Sequence, residues 1–536
     1  MKIFILILIL TYSVSLKSQI NGIEELCDKT NHISYYHLNI EIDPENKYIS
    51  GEIMMNYKVN NFLDTLELEI NSNFAVLKIL NNNKSISYCR KNNDLLIFPN
   101  QLPEKSPIQT ITIFYEGIPK VSEKPPWDAG FIWSKDSLGN PYIGVVCELE
   151  GAGIWWPALK DISIKPDSLL FSITIPSGLY AVSNGILRSV DTINNKVCYN
   201  WFNQYPIINY NLTLYIGKYH YFTKPLISDN SYCPISYYSL NNDQLHADMY
   251  LNQIDTLLNI FAHYFGRYPF SEIGYKLVDA PYAGMEHQTA IAIGKSGISL
   301  FNLLGYNTNI GYILVHETAH EWWGNSISIK SMSDLWINES FASYSESLFL
   351  EYLYNKEKAV SYINQDIDYL IKNEIPICDT TQNINYSHDI YFKGSAVWNT
   401  FRHLQNDDSL WFDFLHAINR DYRFKSISTP ELINYINKYF NINYSYFFNQ
   451  YIYSSKIPLL EIKIDSNNSN NVLVRWNDCN TDFRMPLLFN YESDKIFIDP
   501  STDWKSYIIT KTLIENIKLL QNNYLIRIKV RYEADL

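Results

Sequence analysis

Cysteine is scarce and scattered in this chain. Cys27, Cys89, Cys147, Cys198, Cys233, Cys378 and Cys479 are odd in number and form no C-x-x-C pair. That excludes a cysteine zinc knuckle and a dithiol redox motif, and it leaves any disulfide pairing unassigned. Basic residues are outnumbered, 43 Lys and Arg against 56 Asp and Glu, giving a formal net charge of -13. This is the wrong balance for a nucleic-acid partner, which needs a basic face. No apolar run reaches the roughly 18 residues that would cross a bilayer. The longest, Ile3 to Leu10, follows Lys2 and precedes Ser13, Ser15 and Ser18. That pattern is a leader, residues 1–18, cleaved near Ser18-Gln19, so export to a periplasmic or extracellular space is expected, without stable membrane insertion. There is no internal repeat.

What is present suggests several folded units. A chain of 536 residues is too long for one core and fits about three or four domains. Leu38, Ile40 and Ile42 alternate with polar neighbours, and after a turn at Pro44 to Lys47 the alternation returns as Ile53, Met55, Tyr57 and Val59. Phe171, Ile173 and Ile175 repeat it. Period two predicts an antiparallel β-domain over residues 19–230. Over residues 231–455 the period changes: Leu251 to Phe265 and His316 to Trp323 predict helices, and Tyr275 to Val278 a strand. Ser428-Thr429-Pro430-Glu431 has the residues of a capped helix start. Alternation resumes after Pro458 at Leu460, Ile462 and Ile464, at Val472, Val474 and Trp476, and at Ile496 and Ile498. This predicts a small β-sandwich over residues 456–536. The class is α+β and multidomain.

The chemistry is concentrated in one run. His316, Glu317 and His320 form H-E-x-x-H, and Glu339 follows nineteen residues after the second histidine. Positions i and i+4 share one helix face, so two imidazoles can reach one zinc ion. Glu339 then supplies the third ligand. Glu317, between the histidines, is placed to take a proton from the attacking water. A merely structural histidine pair would need neither Glu317 nor the downstream acid. Glu346 lies two turns beyond Glu339 on the same face, either accepting a bond from a ligand imidazole or standing in solvent.

Around this site the chain resembles the gluzincin aminopeptidases typified by aminopeptidase N. The likeness rests on His316-Glu317-Thr318-Ala319-His320-Glu321-Trp322-Trp323-Gly324-Asn325 and on Leu335-Trp336-Ile337-Asn338-Glu339-Ser340-Phe341-Ala342. It rests further on Ala283-Gly284-Met285-Glu286-His287, similar to the family's G-x-M-E-N segment, and on Tyr391-Phe392-Lys393-Gly394, similar to its Y-x-K-G element. Weaker similarity runs from about His32 onward. The resemblance implies an N-terminal sheet domain that lends a loop to the site, a thermolysin-like catalytic domain, one zinc ion, and peptide substrates with a free N-terminus.

Residue by residue it implies that Gly284, Met285 and Glu286 bind substrate, with Glu286 taking the ammonium. It implies that Tyr391 donates its hydroxyl to the oxyanion of the scissile carbonyl. Two departures stand out. Glu148 falls where relatives often carry glutamine, although the register also permits Glu150. His287 replaces the asparagine; either side chain can donate a hydrogen bond, the imidazole can also charge near neutral pH and weaken ammonium binding, and the position suits a residue that orients a neighbour better than a ligand. Long relatives add a large helical C-terminal domain, for which this chain is too short, so a more open cleft is expected. A thermolysin-type endopeptidase, a catalytically silent peptide-binding scaffold and a relative acting on epoxides are the rival readings.

Overall fold

The computed structural model describes residues 32–58, 65–99, 108–228, 231–294, 300–367, 370–379, 387–465, 471–491 and 494–533. The expected leader at 1–18, Cys27 and Val59 lie outside them. The six cysteines among the described residues carry free thiols.

The N-terminal part is built on an eight-stranded sheet whose centre is the neighbouring strands Ser168–Pro176, His32–Asp43, Tyr48–Lys58 and Ile108–Gly117. The alternation read from sequence sets its register. Trp201, Phe171, Leu38, Ile53, Ile113 and Ile79 pair across successive strands as one row, and all six are buried. A slip of one residue would turn a whole strand's apolar set to the other face. One pairing departs from the antiparallel expectation: His32–Asp43 runs parallel to Ser168–Pro176. The chain between these strands builds other sheets, and so long a crossover permits parallel pairing. One of those sheets contains the strand Pro141–Val146, which ends next to Cys147 and Glu148.

The next sheet has five strands in the order His220–Ser228, Ser231–Ser239, Tyr275–Ala280, Ile291–Gly294 and Gly284–Met285. It therefore begins before residue 230, because the hairpin strand His220–Ser228 pairs along its whole length with Ser231–Ser239. Four helices complete the frame of the site: α1 (Gln244–Phe265), α2 (Tyr312–Ala319), α3 (Trp336–Leu353) and α4 (Phe392–Gln405). Asp243 caps α1, and Ser428 with Glu431 forms a capping box on the helix Thr429–Phe440.

The predicted helix His316 to Trp323 is shifted in the structure, running from Tyr312 to Ala319. It closes at Ala319, His320 is its C-cap, and the chain turns through Gly324, whose φ is +133°. His320 keeps αR backbone angles, so the i, i+4 spacing survives the early stop.

α3 is buried all round from Trp336 to Leu350, as expected for a central helix. An aromatic stack fixes it: Trp323 lies on Phe341 with ring centroids 3.9 Å apart, and Phe341 on Trp398 at 4.1 Å. This stack ties together the turn after His320, the helix bearing Glu339 and the helix that follows Tyr391. The glycine of Y-x-K-G has a packing reason, since a Cβ on Gly394 would lie 2.4 Å from Cβ of Ser340. The C-terminal part has a four-stranded sheet containing Leu459–Asp465 and Asn471–Asn477, and a hairpin of Leu487–Tyr491 with Asp494–Ile498.

Candidate active site

His316 in the last turn of α2, His320 at its cap and Glu339 in the first turn of α3 converge. The two Nε2 atoms are 3.2 Å apart, and Glu339 Oε2 lies 3.2 Å from His316 Nε2 and 3.4 Å from His320 Nε2. A tetrahedral zinc with bonds of about 2.0–2.1 Å needs ligand atoms about 3.3 Å apart, so the donor set fits the metal without adjustment. The outer nitrogens are fixed to suit. His316 Nδ1 donates to Glu346 Oε1 at 2.7 Å and His320 Nδ1 to the Trp323 carbonyl at 2.8 Å. Protons on Nδ1 leave the Nε2 lone pairs pointing to the common centre. Tyr362 donates to the other oxygen of Glu346, so of the two readings for that acid the structure selects the imidazole partner.

The electrostatics follow from this crowding. Burial works against the charge on Glu339, but attraction from His320 and bonds from both imidazoles outweigh it and hold the carboxyl down at about 2. Burial likewise opposes charge on His316, yet Glu339 and Glu346 drive its pKa well above the ordinary value. Glu317 has no such direct bond from an imidazole, and burial pushes it up to about 8 despite His316. Its carboxylate occupies the space left by Gly284, where a Cβ would stand 2.6 Å from Glu317 Oε1.

Glu286 follows the short edge strand Gly284–Met285 and is only 5% exposed. Glu148 meets it from the β-rich part, and their carboxylate oxygens, together with one of Glu339, lie within 4.8 Å of one another. Burial raises both carboxyls; repulsion from Glu286 raises Glu148 further, repulsion from Glu339 raises Glu286 against the pull of His320, and a hydrogen bond joins the pair. Oε1 of Glu148 is buried without a partner. A carboxyl pair in this state holds a proton or accepts a cation. Glu150 points elsewhere, to an exposed ion pair with Lys120, so of the two acids it is Glu148 that stands beside Glu286.

His287 is bonded to Tyr215 and stands outside the groups that, among the described residues, could hold a metal ion. It is fully buried, its Nδ1 is 2.6 Å from the Tyr215 hydroxyl, and burial pushes its pKa down to about 3. A histidine held down in this way adds no positive charge beside Glu286.

Tyr391 stands at the N-terminus of α4 with its ring 5.8 Å from that of His316. The cleft has a volume of about 230 Å³, and Glu148, Gly284, Met285, Glu286, Glu317 and Tyr391 line it along with the triad. Asn325 was not singled out by sequence. Its Nδ2 donates to the Glu286 carbonyl at 2.8 Å and to Glu321 Oε1 at 2.7 Å, tying the G-x-M-E segment to the end of the H-E-x-x-H run. The signal was its place in the quoted motif, two residues after Trp323.

Fold and site together define a candidate metal centre of two imidazoles and a carboxylate beside further buried acids. Residues 249–451 match the Peptidase family M1 domain. Among curated proteins, human aminopeptidase N is 35% identical over 114 residues, 20% of this chain and 12% of that protein. Rat aminopeptidase N is 27% identical over 40% of this chain and 23% of its own length. Probable aminopeptidase 1 of Sulfurisphaera tokodaii is 20% identical over 59% of this chain and 42% of its length. The matched stretches thus span less than half of each of these relatives. Among solved structures, the M1 zinc metallopeptidase of Deinococcus radiodurans superposes with a TM-score of 0.67 at 16% identity, covering 80% of this chain and 96% of that one. A variant of it bound to a Tyr-Ser-Ala substrate gives a TM-score of 0.66 at 16% identity, over 80% and 95%. The fold is that of these metallopeptidases.

Proposed function

We propose that the chain is a zinc-dependent aminopeptidase that hydrolyses the first peptide bond of peptides with a free N-terminus. The carrying observation is the carboxyl pair Glu148 and Glu286, buried at the cleft wall within reach of Glu339. His316, His320 and Glu339 would hold the zinc ion. Bound there, it would supply Lewis acidity, polarising a carbonyl and acidifying a water. Glu317, which lines the cleft beside the two histidines, takes the proton from the attacking water and passes it to the leaving amine. Tyr391 donates its hydroxyl to the oxygen on which negative charge develops. Glu286 and Glu148 fix the ammonium by charge-assisted bonds, with Gly284 and Met285 along the peptide, so that the reacting bond lies one residue from the N-terminus.

In this reading the catalytic unit is residues 231–455, the β-rich part before it lends Glu148, and residues 456–536 form a further small domain. The N-terminal apolar stretch supports export as a proposal. Among the described residues no helix is long and apolar enough to cross a membrane.

The test is hydrolysis of aminoacyl amides, free and N-acetylated, with and without a chelator. Free amides should be cleaved, and both acetylation and chelation should abolish cleavage. Equal cleavage of acetylated substrates would favour the endopeptidase, and chelator-resistant cleavage would overturn the metal reading.

A further inference from the structure

The two ends of the cleft differ in chemistry. One end holds the buried carboxyls, whereas the mouth carries Trp127, which is 60% exposed. An indole this open gains little from the protein's own core. The loop beneath it is nevertheless firmly built. Asp128 accepts bonds from the Ser122 hydroxyl, from Glu123 N at 2.7 Å and from Lys124 N at 2.9 Å, and Trp127 N donates to Lys124 O at 2.8 Å.

From Trp127 an aromatic row leads inward. Its ring meets His388 edge-on with centroids 6.5 Å apart, His388 lies 6.4 Å from Tyr391, and Tyr391 5.8 Å from His316. The row therefore leaves the triad on the His316 side. Glu286 is tied to the His320 turn, because Asn325 donates from Nδ2 to the Glu286 carbonyl at 2.8 Å and from its backbone N–H to the His320 carbonyl at 3.0 Å, so the carboxyl end lies on the other side. A peptide held by its amine at Glu286, with its first peptide bond over the triad, must lay its next residues along the aromatic row.

We infer that Trp127 is a specificity-determining residue, a platform that favours peptides with an aromatic or flat apolar side chain immediately after the scissile bond. This rests on the aminopeptidase reading for the direction of the peptide. An aromatic contact of this kind is worth about 2- to 10-fold in kcat/KM.

The experiment compares wild type, Trp127→Ala and Trp127→Phe on tripeptides that differ only at the second residue, Phe or Gly. The Phe-to-Gly ratio of kcat/KM should fall about 2- to 10-fold in Trp127→Ala, chiefly through KM, and return largely in Trp127→Phe. An unchanged ratio, or an equal loss for both peptides, overturns the platform. Calorimetric binding of the same peptides to Glu317→Ala protein, with and without Trp127→Ala, reads the platform without turnover. A chain that cleaves nothing yet binds the Phe peptide more tightly through Trp127 keeps the platform and loses the aminopeptidase reading. A chain that cleaves both peptides with an unmoved ratio does the reverse. One that neither cleaves nor binds overturns both.

Discussion

His316 and His287 are both imidazoles held in the interior, twenty-nine positions apart, and their surroundings have opposite effects. His316 faces Glu339 and Glu346, which raise its pKa well above the ordinary value. His287 has a tyrosine hydroxyl at Nδ1 and nothing at Nε2, and burial pushes it down to about 3. Burial alone cannot distinguish a ligand from a filler. What distinguishes them is whether carboxylates converge on one nitrogen while the other is held by an acceptor.

The largest effect that sharpens this contrast comes from Glu317. Glu317→Ala should lose about 10²- to 10⁴-fold in kcat while keeping one zinc per chain, because the residue is not a ligand. Retained turnover in steady-state assays would remove it as the base. Next is Glu346→Gln, which leaves His316 with a weaker partner. Zinc affinity should fall about 10- to 100-fold in competition with a chelator, and an unaltered affinity would mean that the bond at Nδ1 does no more than fill space.

Lys276 extends the comparison to a buried cation. Its Nζ donates to the Gly185 carbonyl and lies 5.4 Å from the Trp201 ring, and burial lowers its pKa from 10.5 to about 7. Between those values the unfolded chain binds more protons than the folded one, so stability should rise with pH. From pH 7 to 9 the wild type should gain about 2 kcal/mol relative to Lys276→Met in denaturant titrations, and parallel curves would contradict this. The smallest effect belongs to His287→Asn, which should leave the pH profile of KM between pH 5 and 8 unmoved. A wild-type inflection near 6.5 that vanishes in the variant would show that His287 titrates after all.

The local part of the site was readable from the chain because helical spacing is local. His316, Glu317 and His320 needed only a turn of helix, and Glu339 and Glu346 only the next helix. The β-strands were readable where alternation was strict, as at Leu38, Ile40 and Ile42, all buried. Pairings over long separations were not. The Tyr215 hydroxyl reaches His287 from 72 residues away, and Trp127 meets His388 from a different part of the fold. The choice between Glu148 and Glu150 depended on where a strand ends and a turn begins, which alternation does not report. The helix closed at Ala319 with His320 as its cap, and the chain beyond turns through Gly324 at a positive φ, where the apolar pattern of Trp322 and Trp323 suggested that the helix continues.

The central claim is that two imidazoles and Glu339 form a single zinc site, and metal analysis of the purified chain tests it most directly. The account predicts one zinc per chain, lost in His316→Ala and in Glu339→Ala and retained in Glu317→Ala. Protein that binds no zinc when supplied with it, or that holds zinc equally well without Glu339, would contradict it.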